Sequence, residues 1–405
     1  MDLLQPVVLP YAWGSRHGIA ELQGRPVPSA DPEAELWMGA HPSAPSGAAG
    51  TTLDAVIAAD PDRQLGPGCV ARFGPRLPFL LKVLSAEQAL SIQLHPSRAQ
   101  AEAGFRAENE RGLPAGDPAR NYVDDWPKPE MLCAQTPFEV LAGLRAPADA
   151  AAVLRALAVD PLAPLAAELE AATSPRAPAH ALAAVLTWPD PAELIGAVVA
   201  ACGRLAASDG PYAAACAAAV REAGHHPGDL GVVAMLLMRH AVLAPGQALF
   251  MPAGGLHAYL RGTGIEVLAN SDNVIRAGLT GKHVDVPELL TLLDPAAAVP
   301  ILPPAPLGEG ITGFVAPVPE FRLFAAELSV PEVPMPAAGP RIALCTQGAA
   351  TLRSEAGEAV KLARGESVFV PAADGAVRAG GPARLFLAAP GIMDQSGVPT
   401  AGEFR

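Results

Sequence analysis

An internal repeat constrains the fold of this chain more than any other feature of its sequence. Residues 243–253 and residues 362–372 are identical at six of eleven positions, at an offset of 119 residues. Each copy contains a turn glycine, a short apolar run and then a proline, which is the pattern that a strand of a small antiparallel barrel needs at its ends. The repeat therefore predicts two related β-units, and it aligns His257 of the first unit with Ala376 of the second.

Three regions of different composition follow one another along the chain. Residues 1–145 and 241–405 contain short apolar runs separated by Gly and Pro, which is typical of strands and turns. Residues 146–240 are rich in Ala and Leu at helical spacing. We predict a mainly β fold with a helical insertion, divided into a first barrel (1–145 and 241–314), a helical insertion domain (146–240) and a C-terminal, metal-free barrel (315–405).

The charge and cysteine content of the chain exclude several classes of partner. Its formal net charge is −13 and it has no long Lys/Arg run, so nucleic acid and anionic membranes are poor partners. An anionic substrate would need local cations, which Arg276 and Lys282 can supply. The five cysteines form no CxxC pair, and the N-terminus lacks the basic and apolar regions of a signal peptide. We therefore expect a cytoplasmic protein without a transmembrane segment.

Residues 90–96 are predicted to form a strand that carries two side chains suited to metal binding. Alternation along a strand places Ser91, Gln93 and His95 on one face and the apolar residues between them on the other. Gln93 and His95 can therefore reach one ion from a single rigid element.

His257 and Glu130 are further candidates for the same centre. His257 shares a face with Tyr259 where the chain is extended, and the prolines on both sides of Lys128 hold Glu130 in a fixed direction. Two histidines, a carboxylate and an amide oxygen form a mixed N/O site, which suits a catalytic Zn²⁺ better than a structural one. Spacing alone is equally compatible with isolated polar residues in a core. The remaining histidines are expected in surface positions or polar packing: His17, His41, His180, His225, His226, His240 and His283.

Eight short motifs mark the chain, in the order 11–14 (YAWG), 34–42 (AELWMGAHP), 79–85 (FLLKVLS), 90–96 (LSIQLHP), 128–131 (KPEM), 136–139 (TPFE), 252–260 (PAGGLHAYL) and 271–280 (SDNVIRAGLT). Together they resemble the type I mannose-6-phosphate isomerase family, which consists of zinc enzymes of the cupin superfamily. The resemblance implies two cupin-like jelly-roll barrels, of which the first is catalytic, and one zinc ion per chain. It also implies a sugar-phosphate substrate and the interconversion of mannose 6-phosphate and fructose 6-phosphate by proton transfer through an enediol(ate).

The resemblance also implies the residues of the site, by their positions in the motifs. The zinc ligands fall on Gln93, His95, Glu130 and His257. The catalytic positions fall on Lys128, Tyr259, Glu266, Asp272 and Arg276. The substrate and phosphate positions fall on Trp13, Glu35, Lys82, Ser91, Arg276 and Lys282.

The chain departs from the family pattern at Pro127, where the family has a histidine immediately before the Lys-Pro-Glu motif. Proline can neither accept nor donate a proton, so no side chain at this position can act as the base. Lys128 is our first choice as the proton shuttle, because burial beside a dication disfavours the charged form of a lysine. Asp272 and Glu266 are the alternatives, since a carboxylate can also abstract the proton.

Two other classes of protein could use such a site. A cupin metal-dependent dioxygenase has similar His/Glu ligands, but the neutral Gln93 and the nearby cations suit an anionic sugar better. A non-catalytic sugar-binding cupin would have no use for a metal ligand set together with the constrained Lys128. A monomer or a weak homo-oligomer is the expected assembly.

Overall fold

The computed structural model describes residues 1–314, 316–329 and 331–391 of the chain. Residues 315, 330 and 392–405, which belong to the predicted C-terminal barrel, lie outside this described part. The strands, numbered in chain order, are β1 (Asp2–Leu3), β2 (Val7–Leu9), β3 (Glu35–Met38), β4 (Gly47–Ala48), β5 (Thr51–Thr52), β6 (Phe79–Ala86), β7 (Ile92–Leu94), β8 (Glu130–Ala134), β9 (Phe138–Leu144), β10 (Met238–Leu243), β11 (Ala248–Met251), β12 (His257–Ala269), β13 (Ile275–Gly278), β14 (Ile301–Leu302), β15 (Ala305–Gly308), β16 (Ile311–Phe314), β17 (Arg322–Leu328), β18 (Val333–Pro334), β19 (Arg341–Ser354), β20 (Ala359–Ala363), β21 (Ser367–Val370), β22 (Val377–Gly380) and β23 (Ala383–Ala389). The α-helices are α1 (Gly18–Leu22), α2 (Leu53–Ala59), α3 (Pro61–Leu65), α4 (Pro67–Phe73), α5 (Arg98–Glu110), α6 (Pro147–Leu157), α7 (Ala163–Ala171), α8 (Ala177–Leu186), α9 (Pro191–Ala206), α10 (Ala213–His225), α11 (Gly231–Ala234) and α12 (Val286–Leu292).

Eleven strands form the first sheet, which carries the site described below. Its main path runs β14-β11-β8-β12-β6-β3-β2, and a second branch of β7, β9, β10 and β13 joins it through the long strand β12. Side chains of both branches, including Leu132, Leu249 and Phe138, share one apolar core. The two branches therefore face each other across an apolar interior, although the strand pairing in the described part of the chain does not close this sheet into a barrel.

Ten strands form the second sheet, and its pairing repeats that of the first. The order is β1-β21-β19-β23-β17-β16-β15, with β18, β20 and β22 joined at the side. Strands β11 and β21 occupy the same positions in the two copies of the sequence repeat. Met251 of β11 lies opposite Glu130, and Val370, its counterpart in β21, lies opposite Arg341. Arg341 therefore occupies the position in the second unit that Glu130 occupies in the first.

The guanidinium of Arg341 is buried and joins two parts of the second unit. Its Nη2 atom donates a hydrogen bond to the carbonyl oxygen of Gly375 at 2.7 Å, and Nη1 donates to that of Ala337 at 3.3 Å. Gly375 directly precedes Ala376, the residue that the repeat aligns with His257. A fixed cation thus stands at the position where the first unit has the carboxylate of Glu130.

Two further cores join the parts of the molecule. Leu36, Leu81 and Val267 of the first sheet pack in one core with Leu344 and Phe386 of the second. Helices of the 146–240 region pack on Ile92, Leu94 and other residues of the opposite branch of the first sheet. A separate apolar core fills the second unit. The first sheet is therefore supported on one side by the helices and on the other by the second sheet.

The first 145 residues contain five helices, α1 to α5, where the sequence predicted mostly strands and turns. The longest, α5, begins at a capping box in which Ser97 and Gln100 each accept a backbone hydrogen bond from the other. Proline at the first turn starts α3 and α4. These local signals were outweighed by the Gly/Pro punctuation around them, so the fold mixes sheets and helices more evenly than predicted. In the described ranges no single helix could span a bilayer, and α8 and α9 meet the length and hydropathy requirement only as a pair bent by 117°.

Candidate metal centre and substrate cleft

Three buried side chains meet at the floor of a cleft in the first sheet. His95 directly follows β7, Glu130 begins β8 and His257 begins β12. Their candidate ligand atoms all lie within 4.8 Å of one another. Nε2 of His95 lies 3.4 Å from Oε1 of Glu130, and Nε2 of His257 lies 3.5 Å from its Oε2. The site is therefore assembled from the ends of three different strands.

The atoms that face one another in this cluster have no hydrogen-bond partners in the described chain. They are Nε2 of His95, Nε2 of His257 and Oε2 of Glu130, and all three are excluded from solvent. Buried polar atoms without partners are costly, by roughly 1–3 kcal/mol each. A divalent cation between them would satisfy all three, and two imidazoles with a carboxylate are a donor set that fits Zn²⁺.

The other nitrogen of each histidine is held by a backbone carbonyl. Nδ1 of His95 lies 2.8 Å from the carbonyl oxygen of Asn273, and Nδ1 of His257 lies 3.0 Å from that of Gly255. Since a carbonyl can only accept, each Nδ1 carries the proton and each Nε2 is left as a lone-pair donor. Burial lowers the pKa of His95 to about 4, which keeps its ring neutral and suited to metal binding.

Asn273 fixes the segment that leads into Glu130. Its side-chain oxygen accepts the N–H of Val123 at 2.7 Å, and its side-chain nitrogen donates to the carbonyl oxygens of Asp124 and Trp126 at 2.8 Å. One residue therefore orients His95 through its main chain and the 123–126 loop through its side chain. Such supporting contacts hold metal ligands in place before the ion binds.

Strand register places Gln93 beside the three clustered residues. Gln93 lies directly opposite His257 of β12 and opposite Arg276 of β13. Residues directly opposite in an antiparallel pair point to the same face of the sheet. The side-chain oxygen of Gln93 accepts a hydrogen bond from Ser91 at 2.9 Å and keeps a second lone pair. Gln93 is therefore placed to supply a fourth ligand.

A row of side chains crosses the neighbouring strands of the main path. Trp37, Lys82 and Glu266 lie opposite one another on β3, β6 and β12. The Lys82 ammonium lies 3.5 Å from a carboxylate oxygen of Glu266 and 3.5 Å from one of Glu35. Glu35 also accepts a 2.6 Å hydrogen bond from the indole of Trp37. Every member of this network is at least nine-tenths buried.

Burial and charge shift the acid–base properties of this row in opposite directions. Burial raises the pKa of Glu266 to about 7, although Lys82 opposes the shift. Burial would lower the pKa of Lys82, but Glu35 and Glu266 raise it above its ordinary value. The carboxyl group of Glu266 is thus partly protonated at neutral pH, while Lys82 remains positively charged.

Lys128 and Asp272 flank the metal cluster on the cleft side. Nζ of Lys128 lies 3.3 Å from Oε1 of Glu130. Nδ1 of His41 accepts a hydrogen bond from the backbone N–H of Ser43, so the ring proton is on Nε2. This Nε2 atom lies 3.4 Å from a carboxylate oxygen of Asp272. Burial would raise the pKa of Asp272, but the hydrogen bond from His41 lowers it below its usual value. Asp272 is therefore ionised and held by a buried histidine.

Arg276 and Lys282 form the cationic end of the cleft. In the described part of the chain, neither side chain has a carboxylate within ion-pair distance or a hydrogen-bond acceptor. Burial lowers the pKa of both groups, and the charge of Arg276 adds to the effect at Lys282. Two cations that lack protein partners are available for an anionic group of a ligand.

The structure brings all the residues predicted for the site to one cleft of about 450 Å³. His95 and His257 lie beneath its floor at 0% exposure. The others line it: Trp13, Glu35, Lys82, Ser91, Gln93, Lys128, Glu130, Tyr259, Glu266, Asp272, Arg276 and Lys282.

Sequence reasoning missed two histidines at this site, His41 and His226. His41 was expected at the surface or in polar packing, with no role in the site; it is 3% exposed, stacks edge-on against Trp37 and faces Asp272. The motif at 34–42 that contains it was a signal that could have identified it. His226 lines the cleft from the helical region, where no local pattern pointed to a site.

Comparison with known proteins gives a consistent result. The family model for the catalytic domain of type I phosphomannose isomerases matches residues 1–147. A mannose-6-phosphate isomerase of Escherichia coli is 36% identical over 396 residues, covering 93% of this chain and 96% of the relative. An apo mannose 6-phosphate isomerase from Salmonella typhimurium superposes with a TM-score of 0.87 at 34% identity, covering 97% of this chain and 99% of the other. A zinc-bound holo mannose 6-phosphate isomerase gives a TM-score of 0.87 at 34% identity, with 96% and 99% coverage.

Proposed function

The chain belongs to the type I phosphomannose isomerase family, and from this premise we propose how its residues carry out the reaction. It is an aldose–ketose isomerase that interconverts D-mannose 6-phosphate and D-fructose 6-phosphate. The observation that carries this conclusion is the likeness to mannose-6-phosphate isomerases over 93% of the chain, together with the buried His95, Glu130 and His257 cluster.

Zinc is the metal of the centre. We propose one ion per chain, held by the Nε2 atoms of His95 and His257, a carboxylate oxygen of Glu130 and the side-chain oxygen of Gln93. The unpartnered atoms of the first three residues and the strand register of Gln93 support this set. Bound there, zinc would polarise the sugar carbonyl and stabilise the charge that develops on its oxygen.

Isomerisation moves a proton between C1 and C2 of the open-chain sugar through an enediol(ate). A positioned acid or base must carry that proton, and it must lie close to the metal-bound end of the substrate. We propose Lys128 for this role, because the residue is 9% exposed and its ammonium lies 3.3 Å from a carboxylate oxygen of Glu130. Glu266 and Asp272 line the same cleft and are the alternatives.

The buried row beside the metal would bind the sugar hydroxyls. Lys82 donates, while Glu35 and Glu266 accept, and their mutual contacts fix all three side chains before the substrate arrives. Tyr259 lines the same cleft and borders the histidine cluster, since its ring centroid is 6.0 Å from that of His257. Trp13 would cover the sugar from the rim, where it stacks on Tyr11.

The cationic end of the cleft would bind the phosphate. Arg276 can grip two phosphate oxygens at once, and Lys282 adds a second positive charge. The hydroxyl of Ser91 borders the same cleft. Arg276 lies opposite Gln93, which we propose as a metal ligand, so the cationic end adjoins the proposed metal centre. A sugar phosphate could therefore reach from the metal to the cationic end.

One assay separates this function from the two alternatives. Formation of fructose 6-phosphate from mannose 6-phosphate should be followed by a coupled assay under strictly anaerobic conditions, before and after chelation. The isomerase is active without oxygen and loses activity on chelation. A dioxygenase would be inactive without oxygen, and a non-catalytic binding protein would be inactive throughout.

The architecture, the cellular location and the assembly of the protein are also proposed here. We propose that the two sheets form cupin-like jelly-roll units, supported by their matching strand pairing and the sequence repeat. We propose the division into 1–145 with 241–314, 146–240 and 315–405. Within it, β16 pairs with β17 of the second sheet and β15 pairs with β16, so these two strands of the 241–314 segment extend the second sheet. A cytoplasmic monomer or weak homo-oligomer is also proposed. Light scattering over a range of protein concentrations tests the assembly.

A further inference from the structure

The end of the helical region docks on the cationic end of the cleft. Helix α10 ends at His225, and the next residues turn back towards the loop after β13. The carboxylate of Asp229 accepts the N–H of Thr280 at 2.9 Å and the N–H of Gly231 at 2.6 Å. Asp229 thus fixes the 279–282 loop, which carries Lys282.

Close backbone contact reinforces this docking. A Cβ atom on Gly231 would lie 2.4 Å from the backbone nitrogen of Leu279, and one on Gly278 would lie 2.6 Å from Cα of Gly231. Only glycine allows the two segments to approach so closely. The position of the 226–231 turn relative to the cleft is therefore set by the main chain as well as by Asp229.

His226 is the residue that this docking brings into the cleft. It lines the same cleft as Arg276, Thr280 and Lys282. Its Nε2 atom is excluded from solvent and has no hydrogen-bond partner in the described chain. A buried ring nitrogen without a hydrogen-bond partner is costly. The position of His226 therefore favours a ligand whose oxygen atom can accept a hydrogen bond from Nε2.

We infer that Nε2 of His226 donates a hydrogen bond to the phosphate of the sugar-phosphate substrate. This inference rests on the proposed function and on the assignment of the phosphate to the Arg276 and Lys282 end. The helical region then contributes directly to substrate recognition: His226 contacts the phosphate, and Asp229 positions the loop that bears Lys282. His226 would be a specificity residue for the phosphate group rather than a participant in proton transfer.

Two substitutions at this position differ in a single respect. The side-chain nitrogen of glutamine can reach the place of Nε2, whereas that of asparagine is too short and ends near the place of Nδ1. His226→Gln therefore keeps the donor and His226→Asn withdraws it, without the cavity that alanine would leave. His180→Ala is the control, because His180 is exposed on α8, outside the cleft.

The experiment uses the zinc-loaded enzyme and three readouts: KM and kcat for mannose 6-phosphate, the inhibition constant of inorganic phosphate, and that of free mannose. His226→Asn should raise KM and the phosphate inhibition constant about tenfold, the effect of one lost hydrogen bond to a charged group. The free-mannose constant should not change, and His226→Gln should stay within about threefold of the wild type on every readout.

Other outcomes would overturn the inference. An unchanged phosphate inhibition constant in His226→Asn would show that His226 does not bind phosphate. A loss of kcat with KM and both inhibition constants unchanged would assign His226 to proton transfer instead. Phosphate and mannose binding can also be measured by calorimetry without turnover. A wild-type enzyme that binds phosphate through His226 but forms no fructose 6-phosphate would therefore refute the proposed function alone.

Discussion

The ammonium of Lys128 lies 3.3 Å from the carboxylate of Glu130, which also faces the imidazole rings of His95 and His257. Burial opposes ionisation of Glu130, but the positive charge of Lys128 beside it helps to hold its pKa well below the usual value. Pro127 and Pro129 flank Lys128 and keep the backbone extended, so this contact is set by the chain itself. A proton donor or acceptor is thereby held beside the proposed metal centre, directly after Pro127.

The first prediction concerns the proton shuttle. Lys128→Met should abolish exchange of the C2 hydrogen of mannose 6-phosphate with solvent at saturating zinc, because the group that carries the proton is gone. Exchange is followed by proton NMR in deuterated buffer. Lys361→Met, an exposed lysine of β20, should exchange at the wild-type rate. If Lys128→Met exchanges normally while Asp272→Asn does not exchange, the carboxylate is the base.

The second prediction concerns the metal ligands. His257→Ala should reduce zinc affinity by more than about 100-fold, because loss of a supporting contact alone costs up to that much. Zinc content after dialysis and kcat after reconstitution are the measurements. Chelation should abolish wild-type activity, and added zinc should restore it. His283→Ala, at an exposed position, is the matched control. Full zinc content and full turnover in His257→Ala would contradict the ligand assignment.

The third prediction concerns Arg276 and the phosphate. Arg276→Ala should lower kcat/KM for mannose 6-phosphate by an amount that corresponds to about 2–5 kcal/mol, the cost of a lost charged contact in a partly buried site. The inhibition constant of free mannose should change much less. Competition assays with both compounds give the comparison. An equal loss for both would indicate a structural or proton-transfer role for Arg276.

Local patterns predicted the parts of the site that lie within single strands. Alternation in residues 90–96 placed Gln93 and His95 on one face, and the structure has a strand at Ile92–Leu94 with both apolar residues in the core behind it. The repeat predicted the correspondence of β11 and β21. These features depend on side-chain period and turn residues, which are properties of short segments.

Features that depend on docking between distant segments were not predictable in this way. His226 lies 50 residues before Arg276 in the chain, and its segment meets the loop after β13 through the close contact of Gly231 with Gly278 and the hydrogen bond of Asp229 with Thr280. His41 is buried by its contact with Trp37 and its pairing with Asp272, which lies 231 residues further along the chain. A pattern with a period of two or 3.6 residues carries no information about such contacts.

The fourth prediction concerns pH and stability at Glu139. Glu139 accepts hydrogen bonds from Arg221 and from Nε2 of His240, both at 2.7 Å. Burial opposes its ionisation, but these contacts lower its pKa below the usual value. A lowered folded-state pKa stabilises the fold above the unfolded-state pKa, and this contribution is lost as the pH falls through the folded-state pKa.

Glu139→Gln should therefore be less stable than the wild type at pH 7 by about 1 kcal/mol, given the partial exposure of the pair. The difference should shrink as the pH falls below about 4.5. Urea unfolding of the zinc-free proteins at several pH values gives the difference in the free energy of unfolding at pH 7 and its change with pH, without interference from metal loss. Glu170→Gln, which breaks a fully exposed pair with Arg155, is the control. If the wild type became more stable relative to Glu139→Gln as the pH falls, the predicted pH dependence would be wrong.

The last prediction concerns the second unit, where Arg341 occupies the position of Glu130. Arg341 is 1% exposed, and its guanidinium bridges the carbonyl groups of Ala337 and Gly375. Arg341→Met keeps the apolar part of the side chain but leaves both carbonyl groups without this donor. The free energy of unfolding should fall by about 2 kcal/mol or more. Urea unfolding followed by fluorescence measures the loss, with Arg353→Met as an exposed control.

The same variant tests whether the second unit is free of metal. An arginine in the place of a metal-binding carboxylate repels a cation, and Ala376 stands where the first unit has His257. Wild type and Arg341→Met should therefore both bind one zinc ion per chain and should share the same kcat at a temperature where both are folded. A second equivalent of zinc in the wild type, lost neither by His257→Ala nor by Glu130→Gln, would place a metal outside the first unit and contradict the prediction.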